Sequence, residues 1–195
     1  MVPSSSPYIR KGVHTSPPAP LIRKGVQYGA DNSIISCVFC QIMSKDAPGK
    51  IELENEKFVI FRTIKPYART HLICCPRSHI ETVHSLKGAD DANLVEEMVS
   101  FGKDALTILE PNEKAKFCFH IPPFNSINHL HLHCIAPVDQ MSWLGYLKYY
   151  EGSFYCHSAR SIINALRIND NDKLKMSDEN SKMAGNANCG PASKL

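Results

Sequence analysis

The stretch Ile127-Asn-His-Leu-His-Leu-His-Cys-Ile-Ala-Pro137 alternates histidine with leucine, and that alternation restricts local geometry more than any other feature of the chain. On a β-strand successive side chains point to opposite faces, and same-face neighbours lie roughly 7 Å apart. His129, His131 and His133 then line one face, while Leu130, Leu132 and Cys134 line the other and point to the core. A half-buried strand explains the leucines but not the histidines, since Thr, Lys or Glu would serve equally well on a wet face. The chain holds only nine histidines. If the histidine face is enclosed, each unpaired ring costs about 1–3 kcal/mol. The pattern therefore points to a cluster that titrates, ligates or reacts.

At 195 residues the chain has room for one domain and tails. Its 43% hydrophobic and 21% charged content is that of an ordinary soluble globular protein. No apolar run is long enough to span a bilayer. A net charge of +3 does not indicate nucleic acid, though it would not repel a phosphate ligand. Eight cysteines without a secretory signal argue for a reducing compartment and against a disulfide framework. Cys74 and Cys75 read as small core residues.

Residues 1–33 are rich in Ser, Pro and Gly and read as a disordered arm. Ile-Arg-Lys-Gly-Val occurs at Ile9–Val13 and again at Ile22–Val26, too few copies for a structural repeat. The first acidic residue is Asp31, as in a transit peptide. Pro3, Pro7, Pro17, Pro18 and Pro20 would break the amphipathic helix that such peptides need. The domain is expected over 34–167, with strands at 57–64 and 70–76 separated by the Lys65-Pro66 turn. Apolar residues at Leu94, Val95, Met98, Phe101, Ala105, Leu106 and Leu109 predict a helix over 90–109, stopped by Pro111. A strand over 116–121, the Pro122-Pro123 loop and the histidine strand follow, then a short helix over 158–166. Strands around one long helix predict an α+β fold, an antiparallel sheet of about five strands with the long helix on one face. Beyond Arg167 the chain becomes a polar tail, 168–195.

Four blocks, CVFCQI (37–42), THLICCPRSHI (70–80), FHIPPFNSINHLHLH (119–133) and APVDQ (136–140), occur in an order that resembles the histidine-triad (HIT) superfamily, most closely its Hint branch of adenosine monophosphoramidases. The resemblance covers about Cys37 to Arg167. It implies a HIT-like fold and hydrolysis of nucleoside 5'-phosphoramidates, or related dinucleotides, through a covalent nucleotidyl-histidine. It makes His131 the nucleophile, a role that suits neutral imidazole, which attacks phosphorus without a metal and gives an adduct labile to water. It implies that His133 binds a phosphate oxygen or protonates the leaving group, with His71 as upstream partner and Ser126 bonding the phosphate or leaving group. From the residues alone, Ser126 serves equally as a turn residue and His71 as a strand-end residue. His120 and Asn125 fall where substrate is bound. His84 and His157 read as surface or packing residues, and His14 lies in the arm. Purine nucleotide conjugates are the implied substrates, and a homodimer the implied assembly.

Cys37-Val-Phe-Cys40 has zinc-ligand spacing, although reduced cysteines beside a core phenylalanine explain it too. The resemblance completes a structural zinc site with His79 and His129. Family members usually carry an aspartate that accepts both ribose hydroxyls; here Phe61-Arg-Thr-Ile-Lys-Pro66 places Thr63 there. A hydroxyl carries no charge, and charge-assisted hydrogen bonds are roughly twice as strong as neutral ones, so ribose recognition is expected to be weaker. Phe58, Ile60 and Ile64 wall a base pocket or belong to the core. Trp143 edges the site or a dimer, or is core.

The chain ends Ser193-Lys194-Leu195, the peroxisomal address, so its import receptor is an expected partner and the peroxisome the expected location, with cytoplasm or nucleus otherwise. Two other functions stay open. One is deadenylation of nucleic-acid ends, as in the aprataxin branch; it is disfavoured because Cys189 is the sole cysteine after Arg167, where that branch carries a zinc finger. The other is a nucleotide-binding scaffold with incidental catalysis, for which the apolar segment Trp143–Tyr150 would supply a surface.

Overall fold

The structure is a computed structural model, and it describes residues 20–170. Ile9–Val13 and His14, the polar tail from 171 and the terminal Ser193-Lys194-Leu195 lie outside the described residues.

The frame is a six-stranded antiparallel sheet. Its strands are β4 (Ile51–Glu54), β5 (Phe58–Arg62), β6 (Thr70–Pro76), β7 (Lys116–His120), β8 (Leu132–Ala136) and β9 (Cys156–Ser158), in the order β4-β5-β6-β8-β7-β9. The sequence leads to about five strands; the sixth, β9, is three residues long and carries no period of its own. Alternation divides this sheet cleanly. Leu72, Cys74, Leu132, Cys134 and Phe119 face helix α2 (Gly88–Leu109) in the larger core. Ala92, Val95, Met98, Ala105 and Leu106 of α2 recur at helical spacing and are buried there. Gly102 lets α2 approach closely, since a Cβ there would lie 2.5 Å from Cys134 Sγ. A further helix, α4 over 159–170, begins one residue later and runs farther than the expected 158–166.

The other face is covered by residues 20–33, which the sequence reading assigned to the arm, and by the first ten residues of the expected domain. Strands β1 (Leu21–Arg23), β2 (Val26–Tyr28) and β3 (Ile34–Cys37) form a second sheet, which continues into helix α1 (Val38–Met43). Val26, Tyr28, Phe39 and Met43 pack on Val59, Phe61, Ile73 and Cys75. The correction at 20–33 has a local cause. Composition averaged over 1–33 hid a two-residue hairpin, Lys24-Gly25, with φ of 45° and 68°, the left-handed pair that a tight antiparallel turn requires. A Cβ on Gly25 would lie 2.6 Å from Ile127 Cδ1. The hairpin thus docks on the loop that leads to the histidines. Asn128 N–H donates to the Lys24 carbonyl at 3.0 Å, and Lys24 Nζ donates to Asn125 Oδ1 at 2.7 Å.

Glu110, the residue after α2, ties that helix to the start of β6. It accepts from Thr70 Oγ1 at 2.6 Å and from Arg69 Nε at 3.0 Å. The Arg69 guanidinium, with Thr70, holds its carboxyl down at about 2. A carboxylate held below its ordinary 4.5 stabilises the fold fully above that pH and loses the contribution as pH falls through about 2. Glu110→Gln is therefore expected to melt below the parent at neutral pH. The gap to the parent should narrow between about pH 4.5 and 2 in thermal melts across that range.

Candidate active site

Strand register gathers the histidines. Ile73 pairs with His133, which pairs in turn with Cys118; His71 pairs with Ile135. Opposed residues share a face, so His71, His133 and His120 stand together on the side away from α2. The expected strand over all three triad histidines is shorter than its alternation suggests. β8 begins at Leu132, and His129 and His131 lie in the segment entering it. The alternation persists even so: Leu130 and Leu132 enter the core under α2, and His129, His131 and His133 are buried on the opposite side.

His131 Nδ1 donates to its neighbour's carbonyl, His129 O, at 2.6 Å. A carbonyl only accepts, so the proton sits on Nδ1 and the lone pair on Nε2. That Nε2 is buried and has no hydrogen-bond partner among the described residues; His79 Nε2 shares this state. Leaving such a group unpaired costs about 1–3 kcal/mol, a cost that a ligand atom would remove. The rings of His133 and Phe39 pack edge-on against His131 at 5.1 and 5.3 Å.

His71, His133 and His120 form a chain. Tyr67 N–H donates to His71 Nδ1 at 3.4 Å. His71 Nε2 lies 3.0 Å from His133 Nδ1, and His133 Nε2 lies 3.1 Å from His120 Nδ1. His120 Nε2 faces the Lys148 carbonyl at 3.4 Å. Tyr149, which the sequence reading passed over, contacts all three rings at 4.8–5.1 Å. Burial is the first cause that keeps these imidazoles neutral: His71 is held at about 3 and His120 at about 4. His133 lies well below its ordinary value, and His131 is lowered too.

A second cluster adjoins the first. Cys37 ends β3, Cys40 follows one turn into α1, His79 follows β6, and His129 precedes β8. Cys37 Sγ and Cys40 Sγ each lie 3.5 Å from His129 Nδ1, and Cys40 Sγ lies 3.5 Å from His79 Nδ1. One ligand atom from each of the four falls within 4.8 Å of the others. An ion with sulfur at about 2.3 Å and nitrogen at about 2.0–2.1 Å in tetrahedral array gives an S···N edge of about 3.5 Å. His129 Nε2 sits 2.9 Å from the Pro76 carbonyl, so it carries the proton and turns a Nδ1 lone pair to both thiols. The four residues fit a closed, four-coordinate soft cation.

Residues 36–148 match the family described as "Scavenger mRNA decapping enzyme C-term binding". The chain is 40% identical to the mouse protein named "Adenosine 5'-monophosphoramidase HINT3", over 68% of this chain and 82% of that one. It is 41% identical to the Arabidopsis thaliana "Bifunctional adenosine 5'-phosphosulfate phosphorylase/adenylylsulfatase HINT4", over 52% and 70%. The crystal structure of a HIT family hydrolase from Legionella pneumophila superposes with a TM-score of 0.50 at 28% identity, covering 55% of this chain and 97% of that chain. This chain belongs to the histidine-triad family.

Around the core of this histidine-triad protein the other predicted residues divide. Ser126 is exposed on the loop before the triad, and Thr63 is half-buried just past β5. Ile64 is 94% exposed, so it belongs to no core. Phe58 and Ile60 are core residues on the α2 side, away from the histidines. Asn125, expected to bind substrate, spends its amide on its own loop, donating to Ile127 O at 3.0 Å and Asn128 Oδ1 at 2.9 Å while accepting from Lys24. Trp143 is 75% exposed at the start of helix α3 (Trp143–Lys148), which excludes the core alternative. Lys24 was missed although its pentapeptide was noticed, because a recurring Ile-Arg-Lys-Gly-Val carries no sign of where it docks.

Proposed function

We propose that this protein hydrolyses nucleoside 5'-phosphoramidates, the adenosine compound among them, to the nucleoside monophosphate and an amine. The observation that carries this reading is the His131 ring, with its Nδ1 proton given to His129 O at 2.6 Å and its Nε2 lone pair unpartnered. The name of the mouse relative supports the choice of substrate. In the first step Nε2 attacks the α-phosphorus, an N–P bond forms, and the P–N bond to the amine breaks as that amine takes up a proton. In the second, water attacks the same phosphorus and returns to the site the proton that the amine took up, the N–P bond to Nε2 breaks, the nucleoside monophosphate leaves, and Nε2 recovers its lone pair. The His129 carbonyl stabilises the positive imidazolium character of the adduct by holding the Nδ1 proton throughout.

The test is release of AMP from adenosine 5'-phosphoramidate, run beside adenosine 5'-phosphosulfate and adenylated DNA. Faster turnover of the phosphoramidate supports the reading. Preference for the phosphosulfate would move the activity toward that named for the Arabidopsis relative, and preference for the DNA would overturn it.

We further propose that Cys37, Cys40, His79 and His129 hold a structural zinc. It would supply no chemistry to the reaction but would fix the segment that carries the His129 carbonyl.

Thr63 supplies a prediction. Among the described residues its hydroxyl accepts only a 3.4 Å contact from Lys65 N–H, so a carboxylate there displaces no strong bond within them. Thr63→Asp is expected to lower KM for adenosine conjugates by roughly 5–30-fold, the equivalent of about 1–2 kcal/mol from one charge-assisted bond to ribose. A 2'-deoxyribose substrate should show a smaller gain.

A further inference from the structure

The chain from Tyr67 to Lys148 has a direction fixed at both ends. The Tyr67 main-chain N–H can only donate, so His71 Nδ1 accepts and His71 Nε2 carries the proton. The Lys148 carbonyl can only accept, so His120 Nε2 carries its proton and His120 Nδ1 accepts. Both constraints converge on His133 from opposite sides. Its Nδ1 accepts from His71 at 3.0 Å, and its Nε2–H donates to His120 at 3.1 Å. Every link in the chain is consistent with this one assignment, and each ring uses both nitrogens.

From this agreement we propose that His120 is a positioning residue: it holds His133 as the Nε2–H tautomer and fixes the plane of its ring beside the nucleophile. The functional consequence rests on the hydrolase reading. His133 packs against His131 at 5.1 Å and 78°, so its Nε2–H belongs to the ring beside the nucleophile and is the proton we assign to a phosphoryl oxygen or a departing amine at His131. In the free protein His133 Nε2 donates that proton to His120 Nδ1, and an incoming phosphoryl oxygen takes the place of that acceptor. Without His120 only the 3.4 Å contact from Tyr67 would bias the chain. His133 could then carry its proton on Nδ1, turned toward His71 and away from substrate.

The test compares two variants of nearly equal shape. His120→Asn keeps an acceptor near the Nδ1 position, and His120→Leu removes it. His120→Leu should lower kcat by about 10–100-fold, the scale on which hydrogen-bonded outer partners act on a reactive residue, with KM nearly unchanged; His120→Asn should recover most of that loss. The decisive readout is the 15N spectrum of the His133 ring. One Nε2–H tautomer is expected in the parent and in His120→Asn, and a mixture of tautomers in His120→Leu. An Nδ1–H tautomer in the parent overturns the proposal, even if His120→Leu fails to fold. So does a His120→Leu variant whose kcat stays within twofold, or one whose loss appears in KM with the His133 tautomer unchanged. The spectral arm needs no substrate, so failure of the phosphoramidate assay alone would strike the hydrolase reading and leave the tautomer assignment standing on its own measurement.

Discussion

Replacing His131 by asparagine is expected to lower AMP release from adenosine 5'-phosphoramidate by at least about 10³-fold, since loss of a nucleophile removes the covalent route altogether. Asparagine is chosen because its side-chain amide can still donate to the His129 carbonyl, the bond that His131 Nδ1 makes at 2.6 Å. The loop should therefore keep its shape, and only the Nε2 lone pair is lost. The amide oxygen replaces one unpartnered buried polar atom by another, so the variant should melt close to the parent. Activity then falls while stability is kept, a combination that general unfolding cannot produce. A second readout looks for the adduct. Rapid denaturation during turnover should leave the parent chain heavier by one nucleotidyl group, and His131→Asn should gain nothing. His133→Asn should lose less than His131→Asn, because His133 supplies a proton and forms no bond to phosphorus, but its loss should be at least that of His120→Leu. Turnover within tenfold of the parent in His131→Asn would remove that residue from the nucleophilic role.

The sequence made some of this legible and hid the rest, for separable physical reasons. Strand β6 and the end of α2 were readable because β-branched and apolar runs bounded by Pro66, Pro76 and Pro111 carry the local signal that decides an element. The shared face of the alternate histidines was readable whether or not hydrogen bonding extends the strand to include them; the role of His131 as nucleophile came from the resemblance and stands as a proposal. The long chain of contacts around His133 was not. His71, His120 and His133 meet through the order β6-β8-β7, and order in a sheet is set by long-range pairing that no local window contains. Lys148 and Tyr67 enter through main-chain groups, which leave no trace in residue identity at all. The hairpin at 21–28 was hidden by averaging, as proline and serine from one stretch diluted Val26 and Tyr28 of the next. The four residues of the candidate metal cluster had spacing only for Cys37 and Cys40; His79 and His129 came from resemblance, and the fold brings one ligand atom of each within 4.8 Å of the others.

Substituting Cys37 and Cys40 together by serine is expected to abolish metal binding, depress the melting temperature by far more than a surface change, and lower kcat by roughly 10–100-fold. The parent chain should carry about one zinc by elemental analysis. Its binding energy would act as folding energy for the segments it joins, β3 and α1 on one side and the approaches to β8 on the other. The ion would add to the packing of Phe39 and Met43 on the sheet at the point where α1 is least secured, since its N-cap, Cys37, makes no side-chain capping bond. The effect on catalysis follows from geometry rather than from any contact between metal and substrate. The His129 ring would be gripped from opposite sides, by the Pro76 carbonyl at Nε2 and by the ion at Nδ1. The same residue's carbonyl holds the proton of His131 Nδ1. Freeing the ring frees the backbone that selects the nucleophile's tautomer, so kcat should fall while KM for the adenosine conjugate changes less. Restoring zinc to a chelated parent sample should recover both melting temperature and turnover, and the serine variant should respond to neither treatment. A parent chain that carries no metal, and whose melting temperature and kcat are indifferent to chelation, would show that the four side chains are held together by packing alone.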